Sequence, residues 1–101
     1  MKINTEQRNG ALVVHFRGEI DHSVTLEARE LLDELINRGG FDYMVIDLKD
    51  ISFMDSAGIG LIMGRYKKLR LDKKLLYLRN VTPSVDKILK ISGLYKLVNV
   101  I

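Results

Sequence analysis

The sequence predicts an α/β domain, a mixed sheet with largely parallel core strands joined by crossover helices. Three observations lead there. Tyr43-Met44-Val45-Ile46-Asp47-Leu48 is a nearly unbroken apolar run, the pattern of a strand in a buried parallel sheet. Strand-like and helix-like segments alternate along the chain, with no repeat and no low-complexity stretch. A length of 101 residues with 47% hydrophobic content suffices for one modest core, so residues 1–101 read as a single domain.

Each element has its own signal. Lys2 to Gln7 reads as a first strand that turns at Asn9-Gly10, a strong hairpin dipeptide, into Ala11 to Arg17. Leu12, Val14 and Phe16 then share one face and His15 lies on the other. Gly18-Glu19-Ile20-Asp21-His22 reads as a loop. Val24, Ala28, Leu31, Leu32, Leu35 and Ile36 recur at helical spacing until Gly39-Gly40 stops the helix. After the central strand, Ile59, Ile62, Met63, Tyr66 and Leu69 mark a second helix. Lys74 to Arg79 reads as a strand, and Thr82-Pro83-Ser84 opens a third helix with a capping threonine and a proline in its first turn. That helix ends at Ser92-Gly93, and Lys96 to Ile101 reads as a last short strand.

Parallel strands joined by crossovers place every loop that follows a strand on the carboxyl edge of the sheet. Glu19-Ile20-Asp21-His22 and Met54-Asp55-Ser56 are therefore expected to form one surface. Ser56 falls at a helix N-terminus, where free backbone N–H groups and the macrodipole favour an anion such as phosphate; the plainer role for Asp55 or Ser56 is an N-cap. Gly58, Gly60 and Gly64 weaken the same helix by up to about 1 kcal/mol each relative to alanine. Close packing inside the domain is the favoured compensation, with a partner chain as the alternative.

The residue inventory excludes several chemistries. Without cysteine there are no disulfides, thiolate metal sites or cysteine nucleophiles. The two histidines and dispersed acids offer no metal constellation. A serine hydrolase built on Ser56 and His22 meets the nucleophile-elbow pattern only by half, since Met54 stands where the first glycine belongs and the one other histidine, His15, lies mid-strand. A nucleotide-cradling loop would need a lysine that Asp55-Ser56-Ala57-Gly58-Ile59-Gly60 lacks, which leaves nucleotide binding open but unsupported. The net charge of +3 gathers in Arg65, Lys67, Lys68, Arg70, Lys73 and Lys74, which read as a solvated face at a helix C-terminus, not a nucleic-acid surface. Met1 to Gln7 turns polar at once and no run approaches a membrane span, so a cytoplasmic location is expected.

Three separated segments carry a resemblance over nearly the whole chain: Phe53-Met54-Asp55-Ser56-Ala57-Gly58-Ile59-Gly60 with Gly64-Arg65-Tyr66-Lys67, Gly18-Glu19-Ile20-Asp21-His22, and Ser92-Gly93-Leu94-Tyr95-Lys96. Together they resemble the bacterial anti-sigma factor antagonists of the STAS domain family, nearest to members that act in sporulation. The resemblance implies a partner switch and no enzyme. It makes Ser56 the phosphoacceptor, with Asp55 and Gly58 shaping its turn, and it puts Glu19, Asp21, His22, Asp55, Ser56, Ala57 and Gly58 on the partner-binding edge. The implied partners are an anti-sigma factor serine kinase, which itself binds ATP or ADP and magnesium, and a PP2C-type phosphatase. No cofactor is implied on this chain, and no contact with nucleic acid or membrane. Ala57 departs from the second serine common in the sporulation proteins, which leaves Ser56 as the sole acceptor in the motif. A STAS scaffold or a transporter-associated subunit is the alternative role.

Overall fold

The computed structural model describes residues 1–101. In chain order the elements are β1 (Lys2–Arg8), β2 (Ala11–Ile20), α1 (Thr25–Arg38), β3 (Tyr43–Met54), α2 (Ser56–Leu71), β4 (Leu75–Arg79), α3 (Pro83–Ser92), a 3₁₀ turn (Leu94–Lys96) and β5 (Asn99–Val100). The strands form one sheet in the order β1-β2-β3-β4-β5. β1 runs antiparallel to β2 through the Asn9-Gly10 turn, where both residues have positive φ, and the remaining pairs are parallel. This is the mixed α/β sheet that the pattern of apolar runs predicts.

Because each helix joins neighbouring strands in sequence, a constant crossover hand puts all three on the same face. The core lies there. Leu12, Val14 and Phe16 of β2, Met44, Ile46 and Leu48 of β3, and Leu76 and Leu78 of β4 pack against Ala28, Leu32 and Ile36 of α1, Leu61, Ile62 and Leu69 of α2, and Val85 and Leu89 of α3. The other face carries no helix. Ala11, Val13 and Val45 are buried there beside Tyr43 and Tyr77, whose rings meet edge to face at 5.7 Å.

Two strands run farther than their sequence pattern suggests. Gly18 to Ile20 belong to β2, not to a loop, and β3 continues past Leu48 to Met54. The cause is bulging. From Asp47 to Phe53 β3 spans six steps while its partner β2 takes four, from His15 to Glu19. The added residues shift burial to Leu48, Ile51 and Met54, every third position, which hides the strand from a search for alternation. At the C-terminus β5 is shorter than expected. Gly93 in the left-handed region ends α3, and the chain then coils through Leu94–Lys96 to bury Leu94 and Val98 before two residues pair with β4. Thr82 holds the N-cap position of α3, but its hydroxyl makes no cap bond and lies 3.5 Å from Ser84 Oγ instead.

The glycines of α2 divide into two kinds. A Cβ on Gly58 would stand 2.5 Å from Met54 Cγ and 3.1 Å from Ile20 Cγ2, so only glycine lets the helix start this close to the strand ends. At Gly60 and Gly64 a Cβ would meet nothing within 4 Å, which overturns the favoured expectation that this pair packs inside the domain. Gly58→Ala is expected to lose about 1 to 3 kcal/mol through overpacking. Gly64→Ala is expected to gain up to about 1 kcal/mol from helix propensity. Urea denaturation of both variants checks the contrast, and equal effects would show that the space around the two glycines is misjudged.

Candidate functional site

β2 and β3 end side by side, with Ile20 paired to Met54, so the two segments after them meet on the carboxyl edge as predicted. Asp55 joins them. Its backbone N–H donates to Ile20 O at 3.3 Å, and its Oδ2 accepts from the His22 N–H at 3.3 Å. It is also the N-cap of α2. Oδ1 accepts the Ala57 N–H at 2.9 Å, and its carbonyl accepts from the N–H groups of Gly58 and Ile59 at 3.0 and 3.4 Å. The capping role that sequence left open between two residues thus falls to Asp55.

Ser56, the first residue of α2, is exposed, and its hydroxyl has no hydrogen-bond partner within the protein. His22 contributes only its backbone N–H to the edge, and His15 lies elsewhere on the sheet, bonded to Glu6 and Asp47. Neither histidine hydrogen-bonds to Ser56.

Asp21 organises the approach to α1. Its Oδ1 accepts from Ser23 N–H at 2.9 Å and Ser23 Oγ at 2.6 Å, and the Ser23 hydroxyl bond leads the effects that hold its carboxyl below the usual aspartate value. The N-cap position of α1 is Val24, which has no side chain to cap with, so Asp21 turns the chain without capping the helix. Glu19, opposite Phe53 in the sheet, is exposed. Gly58 is buried beneath the helix start and half-buried Ala57 follows Ser56.

Apolar surface near this edge did not follow from the sequence pattern. Phe53 is 48% exposed and Leu26 58% exposed. Phe53 faces outward because the β3 bulges displace the alternation; Leu26 sits on the first turn of α1, off the stripe of Ala28, Leu32 and Ile36.

The basic run is not a uniform solvated face. Arg65 is buried between the helices beside Asp33, Lys74 lies 4.3 Å above the Phe41 ring, and Arg70 Nη1 reaches Tyr66 Oη at 3.4 Å. Lys67 and Lys73 remain exposed. No helix is long and apolar enough to cross a membrane.

A five-stranded mixed sheet, helices on one face and a capped helix start beside the β2 end define a regulatory domain of known type: the chain belongs to the STAS domain family, which it matches over residues 2–101. Within the family its relatives include the anti-sigma F factor antagonist of Paenibacillus polymyxa, 37% identical over 97 residues that cover 96% of this chain and 83% of that protein. Unphosphorylated SpoIIAA, an anti-sigma factor antagonist, superposes with a TM-score of 0.86 at 28% identity, covering 99% of this chain and 88% of the other. The phosphorylated form of SpoIIAA, a Bacillus cell fate determinant, superposes with a TM-score of 0.77 at 27% identity, covering 99% and 91%.

Proposed function

We propose that this chain is a cytoplasmic anti-sigma factor antagonist that regulates transcription by partner switching. Unmodified, it binds an anti-sigma factor that is also a serine kinase, and that binding releases the sigma factor. Transfer of phosphate from the kinase's ATP to Ser56 ends the interaction, and a PP2C-type phosphatase restores it. The chain is the substrate and ligand of these enzymes, and the ATP and magnesium belong to the kinase. Glu19, Asp21, His22, Asp55, Ala57 and Gly58 form the docking surface around the acceptor.

The observation that carries this reading is the division of labour at the start of α2. Asp55 does the capping, so the Ser56 hydroxyl is exposed and uncommitted. Asp55 also engages the N–H groups of Ala57, Gly58 and Ile59. A phosphate on Ser56 therefore meets the helix dipole but few free donors, and stays available to a partner and to a phosphatase. That the unphosphorylated and phosphorylated forms of SpoIIAA both superpose on this fold supports a modification that leaves the domain intact.

The test compares wild type and Ser56→Ala as baits in an extract of the native cells supplied with ATP, read by mass spectrometry. Both are expected to capture an anti-sigma factor kinase, with phosphate appearing on Ser56 of wild type and none on the variant. Phosphate on the variant at the wild-type rate would move the acceptor to another hydroxyl, such as Ser52 or Ser23. Capture of no anti-sigma factor by either bait would overturn the reading.

A further inference from the structure

α1 and α2 pack side by side, yet a cleft of about 240 Å³ opens between them, lined by Thr25 and Arg29 of α1 and by Ala57, Gly60 and Arg65 of α2. Thr25, Arg29 and Asp33 are spaced by four and form one stripe of α1. Across from them, a Cβ on Gly60 would meet nothing within 4 Å, so the absence of side chains keeps the cleft open.

Arg65 is the unusual residue. It is 7% exposed, and its buried Nη1 has no hydrogen-bond partner. Its Nε lies 3.0 Å from Asp33 Oδ1, close enough for an ion pair, but the two are not aligned as a hydrogen bond. Burial pulls the Arg65 pKa down from its usual value; Asp33 opposes that shift and Arg29 adds to it. Arg29 is exposed and has no ion pair. Two guanidinium groups against one carboxylate leave an excess of positive charge along the cleft wall, and behind that wall the sealed Arg65 Nη1 is an unpaired donor, which is costly.

We propose that the α1–α2 cleft is an oxyanion site that takes a phosphate group between Arg65 and Arg29, with the Thr25 hydroxyl beside it. A tetrahedral phosphate presents acceptors to donors arriving from two helices at once and carries more negative charge than a carboxylate. The site does not depend on modification of Ser56. Its ligand is inorganic phosphate or the phosphate of a small ester.

Backbone and arginine side-chain NMR titrations with sodium phosphate and with glycerol 3-phosphate, at ionic strength held constant by sodium chloride, test the site. Saturable shifts are expected at the Ala57 and Gly60 amides and at Arg65 Nε–H. Arg29→Gln, an exposed substitution, is expected to weaken binding about tenfold or more, the effect of losing one charge-assisted hydrogen bond. Arg65→Lys, which keeps the charge and loses the fork, should weaken it too. Equal affinities identify the free anion as the ligand, and tighter binding of glycerol 3-phosphate identifies an ester; either supports the site. Shifts that never saturate overturn it. So do saturable shifts centred on Ser56 and Gly58 that survive Arg29→Gln, because they place the anion at the helix terminus.

Discussion

Asp47→Ala is expected to destabilise the domain by roughly 2 to 3 kcal/mol near neutral pH, because it orphans several donors at once. Asp47 is buried at 6% exposure in β3, on the sheet face that the helices leave uncovered. Its carboxylate accepts from Lys49 N–H and His15 Nδ1 at 3.0 Å, from Asn80 Nδ2 at 3.1 Å and from Arg79 Nη2 at 3.3 Å. Burial on its own raises the Asp47 pKa, but the bonds from Lys49, Asn80 and Arg79 outweigh it and hold the group below the ordinary 3.8. A carboxyl depressed in the folded state stabilises the fold above its unfolded value and loses that contribution as pH falls through the folded value. Wild type and Asp47→Ala should therefore differ most at neutral pH and converge in strong acid. Urea denaturation of both proteins at pH 7 and in steps below pH 4 measures this. A constant difference across that range would mean that the loss comes from packing and not from the ionised carboxylate.

Asp47 also shows where sequence reading stops. One aspartate inside an apolar strand suggests a solvated position, and its partners His15 and Arg79 each lie 32 residues away, so no local pattern announces them. Arg65 reads as part of a solvated face for the same reason, as its ion-pair partner Asp33 sits on another helix. What repeats locally was legible: the hairpin at Asn9-Gly10, the helical stripes of α1 and α2, and the crossover order that sets the Glu19 to His22 segment beside Ser56. The ends of β2 and β3 were not, because bulges change the spacing of buried residues from two to three and only pairing between strands reveals them. The open space at Gly60 and Gly64 was equally hidden, since a small residue looks the same in sequence whether it is packed or bare.

Phosphorylation of Ser56 is expected to weaken kinase binding about a hundredfold or more while leaving the thermal midpoint close to that of the unmodified protein, and Ser56→Asp should weaken binding less while its midpoint also stays close to wild type. The two halves rest on different physics. The added 1.5 to 2 negative charges, typical of a phosphoserine, stand next to Asp55 and on the same edge as Glu19 and Asp21, a surface that must shed water to bind. The Ser23 hydroxyl bond lowers the Asp21 pKa and so favours its ionised form. Each like-charge contact at about 4 Å costs roughly 1 kcal/mol in water and more when desolvated, so two or three amount to a hundredfold. Stability escapes because Ser56 makes no hydrogen bond that modification would break, and the N-terminus of α2 favours negative charge by about 0.3 to 1 kcal/mol. Affinity for the kinase in the presence of ADP, measured beside circular dichroism melting on the same samples, separates the effects. A Ser56→Asp protein that melts far below wild type would show Ser56 to be a structural residue. One that melts normally and binds as tightly as wild type would remove the electrostatic basis of the switch.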